Sequence, residues 1–209
     1  EKADAVIIGE NWHDAYPYLR GDQYDSIMNY AFTKACLDYF ARKTFDAKQM
    51  AEKGIAWTPT IMAYTLPYDI CKENLEKNAG KPVNDPVMQK EMKDYQYFEP
   101  AYKAYRDHFK EFYDTGVTVI AGTDMVMYQS PLLPLPRELQ YMVEYGITPV
   151  QAIQTATSNP AKVLGVENER GLVKEGLDAD LLVVGGDLSK DITCLNDVKL
   201  VTLGGKRVF

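Results

Sequence analysis

An α/β architecture, built as part of a (β/α)8 barrel of about four βα units and followed by a small β-rich C-terminal segment, is predicted by three observations. Short apolar runs alternate with helix-period segments up to Gly165, acids stand directly after two of those runs, and glycines punctuate the chain beyond it. A complete barrel needs about 250 residues. At 209 residues that also include the β-rich segment, half a barrel is expected.

AVIIG, at Ala5 to Gly9, reads as a buried strand ending at Glu10. From Ile27 to Phe45, Tyr30, Phe32, Ala35, Cys36, Tyr39 and Phe40 recur at helical spacing with charges between them, which predicts an amphipathic helix. GIAWTPT, at Gly54 to Thr60, is a second strand stopped by Pro59. Val87 to Tyr113 is helical and broken near Pro100. The aromatic and methionine stripe from Met88 to Phe112 keeps helical spacing, so core packing is the expectation and a substrate-pocket lining the competing reading.

Gly116 then supplies a helix C′ residue, and VTVIA, at Val117 to Ala121, is a third strand running into Gly122, Thr123 and Asp124. Pro136 to Tyr145 is helical and stops at Gly146. Thr148 and Gln151 form a capping box with Pro149 at the first helical position, predicting a helix from Val150 to Thr157, and Asn159 with Pro160 starts another short one. Beyond Gly165, Gly171, Gly176, Gly185 and Gly186 separate short β segments, and Gly204 with Gly205 reads as a two-residue hairpin turn.

Composition narrows the function classes. Apolar residues at 46% and charged residues at 25% are ordinary globular values. The net charge is −7, from 23 basic and 30 acidic residues, and no basic block is present, which argues against nucleic acid or an anionic membrane as partner and for a small-molecule substrate. The apolar run Leu181 to Val184 is far too short for a bilayer, and the start EKADAVIIGE lacks a signal peptide's basic region. Cys36, Cys71 and Cys194 are widely spaced, with no CxxC pair, so neither a disulfide framework nor a thiolate zinc site is indicated. A cytoplasmic protein is the expectation, and a start at Glu1 reads as a segment of something larger.

Glu10 and Asp124 carry the chemistry. Each follows a strand that is buried on both faces, at the end where barrel active sites are built; a helix N-cap in the next loop is the bland alternative. RGD at Arg20 to Asp22 carries no adhesion reading, and Gly122, Gly204 and Gly205 lie in no phosphate-loop pattern and read as turns. MVMY, at Met125 to Tyr128, follows Asp124 and is a candidate pocket wall, with simple packing weighted equally.

Five ordered motifs, GIAWTPT, GVTVIAGTD, YGITPVQAIQTATSNPAKVLGV, GLVKEGLDADLLVV and VTLGGKRV, make the segment from about residue 54 to 209 resemble the C-terminal part of the amidohydrolase superfamily, in its imidazolonepropionase-like and prolidase-like branch. The resemblance implies that Asp124 ends the eighth barrel strand, ligates a zinc-type divalent metal and exchanges a proton with its water. It also implies C–N bond hydrolysis. A catalytic zinc takes about three protein ligands. The family's HxH pair is missing here, and the histidines are only His13 and His108.

The first 50 or so residues differ in character. AVIIGENWHDAYPYLRGDQYDSIMNYAFTKACLDYFARKTFDAKQ is similar to the alpha-amylase family, in its neopullulanase and maltogenic amylase group. That resemblance implies that Glu10 ends a fifth strand as general acid/base and that LRGDQYDSIMNY spans a sixth-strand region. The second carboxylate such a glycosidase needs is missing. The expected organisation is therefore an amylase-like piece over residues 1–53, an amidohydrolase-like piece over 54–165 and a β-rich segment over 166–209, joined near Lys48 to Gly54 as an assembled chimera or a fragment. Function then divides three ways: a metal-dependent amidohydrolase whose site is incomplete in this chain, a catalytically silent half-barrel scaffold that self-associates or pairs with a complementing half-barrel, and, more weakly, a glycosidase acting through Glu10.

Overall fold

The computed structural model describes residues 8–11, 26–29, 47–52, 54, 56–124 and 134–209. The chain divides into two units, Glu1–Gln49 and Met50–Phe209. In the first, β1 (Ile8–Asn11) pairs in parallel with β2 (Ser26–Asn29), with Glu10 opposite Met28. Ile27 to Asn29 are therefore strand where the periodicity predicted the start of a helix. Four residues of parallel ladder override the helical spacing, and the strand falls where the amylase resemblance put its sixth-strand region. The rest of the predicted helix, and most of the strand predicted from Ala5, lie outside the described residues.

After α1 (Ala47–Glu52), the second unit is built on β3 (Ala56–Trp57) and β4 (Thr118–Val119), parallel neighbours with Trp57 opposite Val119. The ladder runs one residue further, where Ile120 N–H donates to the Trp57 carbonyl at 2.9 Å. Parallel strands need a crossover connection. Here it is two helices, α2 (Met62–Lys77) and α3 (Pro86–Asp114). α2 was not foreseen: Pro67 sits inside it and breaks the sequence signal, yet Thr65, Leu66, Pro67, Tyr68 and Cys71 are buried, and that packing outweighs one lost backbone bond.

α3 corrects a second expectation, because it runs through Pro100 without a break. Pro100 and Gln96, whose carbonyl lacks its partner, are both exposed, which leaves that turn of the helix open to solvent. Asp85 caps the helix by accepting from Val87 and Met88, and Gly116, at φ +87, ends it as expected. The stripe behaves as core in its second half: Phe109 and Phe112 are fully buried, and Trp57 meets Phe112 edge-on at 4.4 Å. Met92, in the first half, is exposed.

α4 (Pro134–Glu144), α5 (Pro149–Ala156) and α6 (Ser158–Val163) follow. The capping box is formed, with Gln151 N–H on Thr148 Oγ1 at 3.2 Å and Thr148 N–H on Gln151 Oε1 at 2.8 Å. These helices also cover the side of β4 that β3 leaves open: Ala121 N–H donates to the Thr155 carbonyl at 2.8 Å and Asn159 Nδ2 to the Val119 carbonyl at 2.9 Å. Asn159 is thus more than a helix start. Its side chain ties the helical layer to the central pair.

The C-terminal segment is a three-stranded antiparallel sheet, β5 (Leu182–Val184), β6 (Val198–Leu203) and β7 (Lys206–Arg207), with a 3₁₀ turn at Ile192–Asn196 between the first two. Gly204 and Gly205, at φ +55 and +75, form the predicted hairpin turn. Gly122 is different. Its φ is ordinary, but a Cβ there would meet Thr58 Cγ2 at 2.5 Å, so close approach of the strand ends demands a glycine. Gly122→Ala is expected to cost about 1–3 kcal/mol in urea unfolding, and Thr58→Ser, which removes that methyl, to recover most of it in the double variant.

Candidate active site

β3 and β4 end at the same side, and the segments leaving them carry the polar residues. Thr58, Pro59 and Thr60 follow β3, and Ala121 to Asp124 follow β4. Two residues here adopt left-handed backbone without being glycine, Thr60 at φ +50 and Asp124 at φ +46, and they are the only such positions among the described residues. Each costs on the order of 1 kcal/mol or more, a strain that persists where the surroundings impose it and that clusters at functional positions. Asp124 is exposed, so its carboxylate is open to solvent and ligand.

Thr60 leads directly into α2. Ile61 N–H and Met62 N–H, at the start of that helix, donate to Glu138 Oε1 and Oε2 at 2.8 and 2.6 Å. Glu138 comes from α4, is 0% exposed and takes the place of the side-chain cap that α2 lacks. Burial pushes its carboxyl up to about 8, while the two backbone donors pull it down. Nearby, Thr65 and Tyr145 share a hydroxyl hydrogen bond of 2.9 Å, and Tyr105 donates from α3 to the Pro59 carbonyl at 2.6 Å. The turn after β3 is therefore held from α4 and from α3.

Tyr64, in the first turn of α2, has its phenol held above the ordinary value by burial first, then by Tyr97 and then by the Asp124 carboxylate. Tyr64 is therefore protonated and able to donate a hydrogen bond.

The two site residues singled out from sequence fall in different units. Asp124 lies five residues beyond Val119, the last residue of β4. Glu10 lies within β1 rather than after it. His108 is on the exposed face of α3, with Nδ1 3.3 Å from Glu111 Oε2. His13 and Met125 to Tyr128 lie outside the described residues. Among the described residues no three His, Cys, Asp or Glu side chains converge, so this donor set alone does not fit a zinc-type centre. No described helix is long and apolar enough to cross a membrane. Sequence reasoning missed Thr60 and Glu138. The one signal available for Glu138 was an acid on the apolar face of RELQYM.

Parallel strand ends joined through a helical crossover, with a strained acid after the second strand, define the C-terminal face of a TIM-barrel-like α/β fold. The chain belongs to the amidohydrolase family, whose sequence pattern matches residues 42–208. Ochratoxinase from Aspergillus niger is 36% identical over 109 residues, covering 50% of this chain and 21% of that protein. A crystal structure of a Xaa-Pro dipeptidase with bound methionine in its active site superposes with a TM-score of 0.56 at 28% identity, over 78% of this chain and 37% of that one. The beginning of the chain matches a different protein: cyclomaltodextrinase from Thermoanaerobacter pseudethanolicus is 54% identical over 48 residues, 23% of this chain and 8% of that protein. The chain thus spans less than a tenth of its amylase-type relative and about a fifth of ochratoxinase. Both resemblances read from the sequence are present.

Proposed function

We propose that the chain carries the Asp124 side of an amidohydrolase site that cleaves an amide C–N bond, and that the site is completed by donors outside the described residues. The observation that carries this reading is the strained, exposed Asp124 at the end of β4, inside the stretch that matches the family. In amide hydrolysis a water adds to the carbonyl carbon, the C–N bond breaks, and one proton moves from the water to the departing nitrogen. A carboxylate beside the reacting atoms takes that proton and returns it to the amine. Asp124 is suited to this work because it is accessible, and because the turn that holds it faces a neighbouring turn locked by Glu138 and Tyr105. A divalent metal of zinc type, if bound, would polarise the carbonyl and acidify the water, and Asp124 is the ligand this chain would contribute.

The test is release of amine from N-acyl amino acid amides by the purified chain in added zinc, with Asp124→Ala as control. Slow release that disappears in the variant supports the reading. Equal release, or Asp124-independent zinc content, overturns it. Folded protein that neither binds zinc nor turns over any amide supports the silent-scaffold alternative.

The match of 48 residues to an amylase-type protein favours an assembled or fragmentary origin over a second activity, since Glu10 would need a partner carboxylate about 5–5.5 Å away for double displacement. No turnover of maltooligosaccharides is expected, and turnover lost in Glu10→Gln would reverse this. Self-association fits the same reading. Leu182, Val183, Leu203 and Phe209 leave apolar surface exposed on or beside the C-terminal sheet. Light scattering at micromolar concentration is expected to give more than the mass of one chain, and a well-folded monomer would contradict it.

A further inference from the structure

We propose that the groove between α2 and α4 is a binding site for a small zwitterion, a free α-amino acid, with Arg137 receiving its carboxylate and Asp69 and Glu73 its ammonium group. The groove encloses about 540 Å³, and its walls come from α2, from α4 and, through Asn196, from the 3₁₀ turn that precedes β6. That volume lies in the range of small-molecule sites. None of the described residues lining it belongs to the turns after β3 and β4, and nothing about it depends on Asp124.

The charges of the groove are arranged around one side chain. Tyr141, on α4, is 1% exposed, and its hydroxyl donates to Asp69 Oδ2 on α2 at 2.9 Å. The guanidinium of Arg137, one helical turn earlier, lies over the face of the same ring, 4.2 Å from its centre. Arg137 Nη1 also donates to Gln140 Oε1 at 3.0 Å and stands 3.5 Å from Glu144 Oε1. A cation is thus fixed on the ring's face and an anion at its hydroxyl before any ligand arrives. Three of the guanidinium's five N–H donors belong to Nε and Nη2, outside those two contacts, and a planar fork of this kind takes a carboxylate in bidentate fashion.

Asp69 has a second oxygen, and Glu73 follows it by one turn on the same face of α2. Burial holds the Asp69 carboxyl above its ordinary value, so an ammonium group brought to it restores part of what desolvation took. Leu66 and Ile70 line the groove as well, and Ile70 is left 38% exposed. Lys72 and Glu76 add one further charge of each sign to the lining. A simple anion there meets the carboxylates and a simple cation meets Arg137, whereas a zwitterion answers both signs and lays its side chain on the apolar residues.

The experiment is ligand-observed NMR titration of the purified chain, with no metal added, against three compounds: L-leucine, N-acetyl-L-leucine, which lacks the ammonium group, and L-leucine amide, which lacks the carboxylate. Leucine is expected to bind about ten-fold tighter than either analogue, because each analogue loses one charge-assisted pair. Arg137→Gln should remove the preference over the amide. Asp69→Asn, which keeps an acceptor for Tyr141, should cut the preference over the N-acetyl acid, and the Asp69→Asn, Glu73→Gln double variant should remove it. Both preferences should persist in Asp124→Asn. No binding of leucine, equal binding of the three compounds, tighter binding of either analogue, or both preferences surviving in the folded variants overturns the proposal. So does loss of leucine binding in Asp124→Asn, which would place the amino acid at the strand ends instead. If the groove variants lose their helical circular dichroism, Arg137→Lys, which keeps the charge without the planar fork, and the surface exchange Glu73→Gln decide instead. Undiminished leucine binding in both overturns the assignment.

Discussion

Glu138→Ala is expected to destabilise the second unit by on the order of 3–5 kcal/mol in urea unfolding, more than any other single truncation of a polar side chain in the described structure. Three losses coincide: two backbone N–H groups at the start of α2 lose their acceptors inside the protein, a cavity opens where a fully buried side chain stood, and α4 loses its tie to the turn after β3. Glu138→Gln keeps the volume but offers a single acceptor oxygen, so about half that loss is expected. The dependence on pH has a definite sign. The folded carboxyl titrates at about 8, above its ordinary value of 4.5, so its contribution is full below about pH 4.5 and is lost as pH rises through about 8. The wild type's advantage over Glu138→Gln should therefore shrink between pH 5 and pH 9. An advantage that instead grows with pH would mean that the helix N-terminus holds Glu138 ionised throughout.

Asp124→Asn is expected to remove whatever zinc the chain retains and any amide hydrolysis with it, while leaving the thermal midpoint almost unchanged. Asparagine tolerates the left-handed backbone at φ +46 as well as aspartate does, so the fold pays nothing for the exchange. What disappears is the anionic oxygen. With one carboxylate as the only described donor, wild-type affinity should be micromolar or weaker. Metal analysis after dialysis, beside thermal unfolding of both proteins, checks the two halves of this expectation. Equal zinc in wild type and variant would leave Asp124 as a turn residue without a chemical role.

Local signals proved legible wherever one turn of chain carries the whole cause. The Thr148–Gln151 capping box, the Gly116 helix stop and the Gly204–Gly205 hairpin all formed as read, because each is settled by backbone dihedrals and hydrogen bonds within a few residues. Pro100 misled for the same reason: a proline is a local breaker, and only its exposed place on α3 decides that the helix survives it. Ile27 to Asn29 misled because helical spacing and a short strand are indistinguishable until a partner strand is known.

By itself the sequence determined the α/β class, the β-rich end, the family motifs and Asp124, since apolar periodicity and a motif ending on an acid depend on order along the chain alone. Only the tertiary structure decided that Gly122 is a packing glycine against Thr58, that Glu138 caps a helix more than 70 residues away, and that Tyr105 pins the turn after β3. Those three depend on which distant segments meet. Contact between residues far apart in sequence is set by the packing of helices on the β3–β4 pair, and no spacing along the chain encodes it.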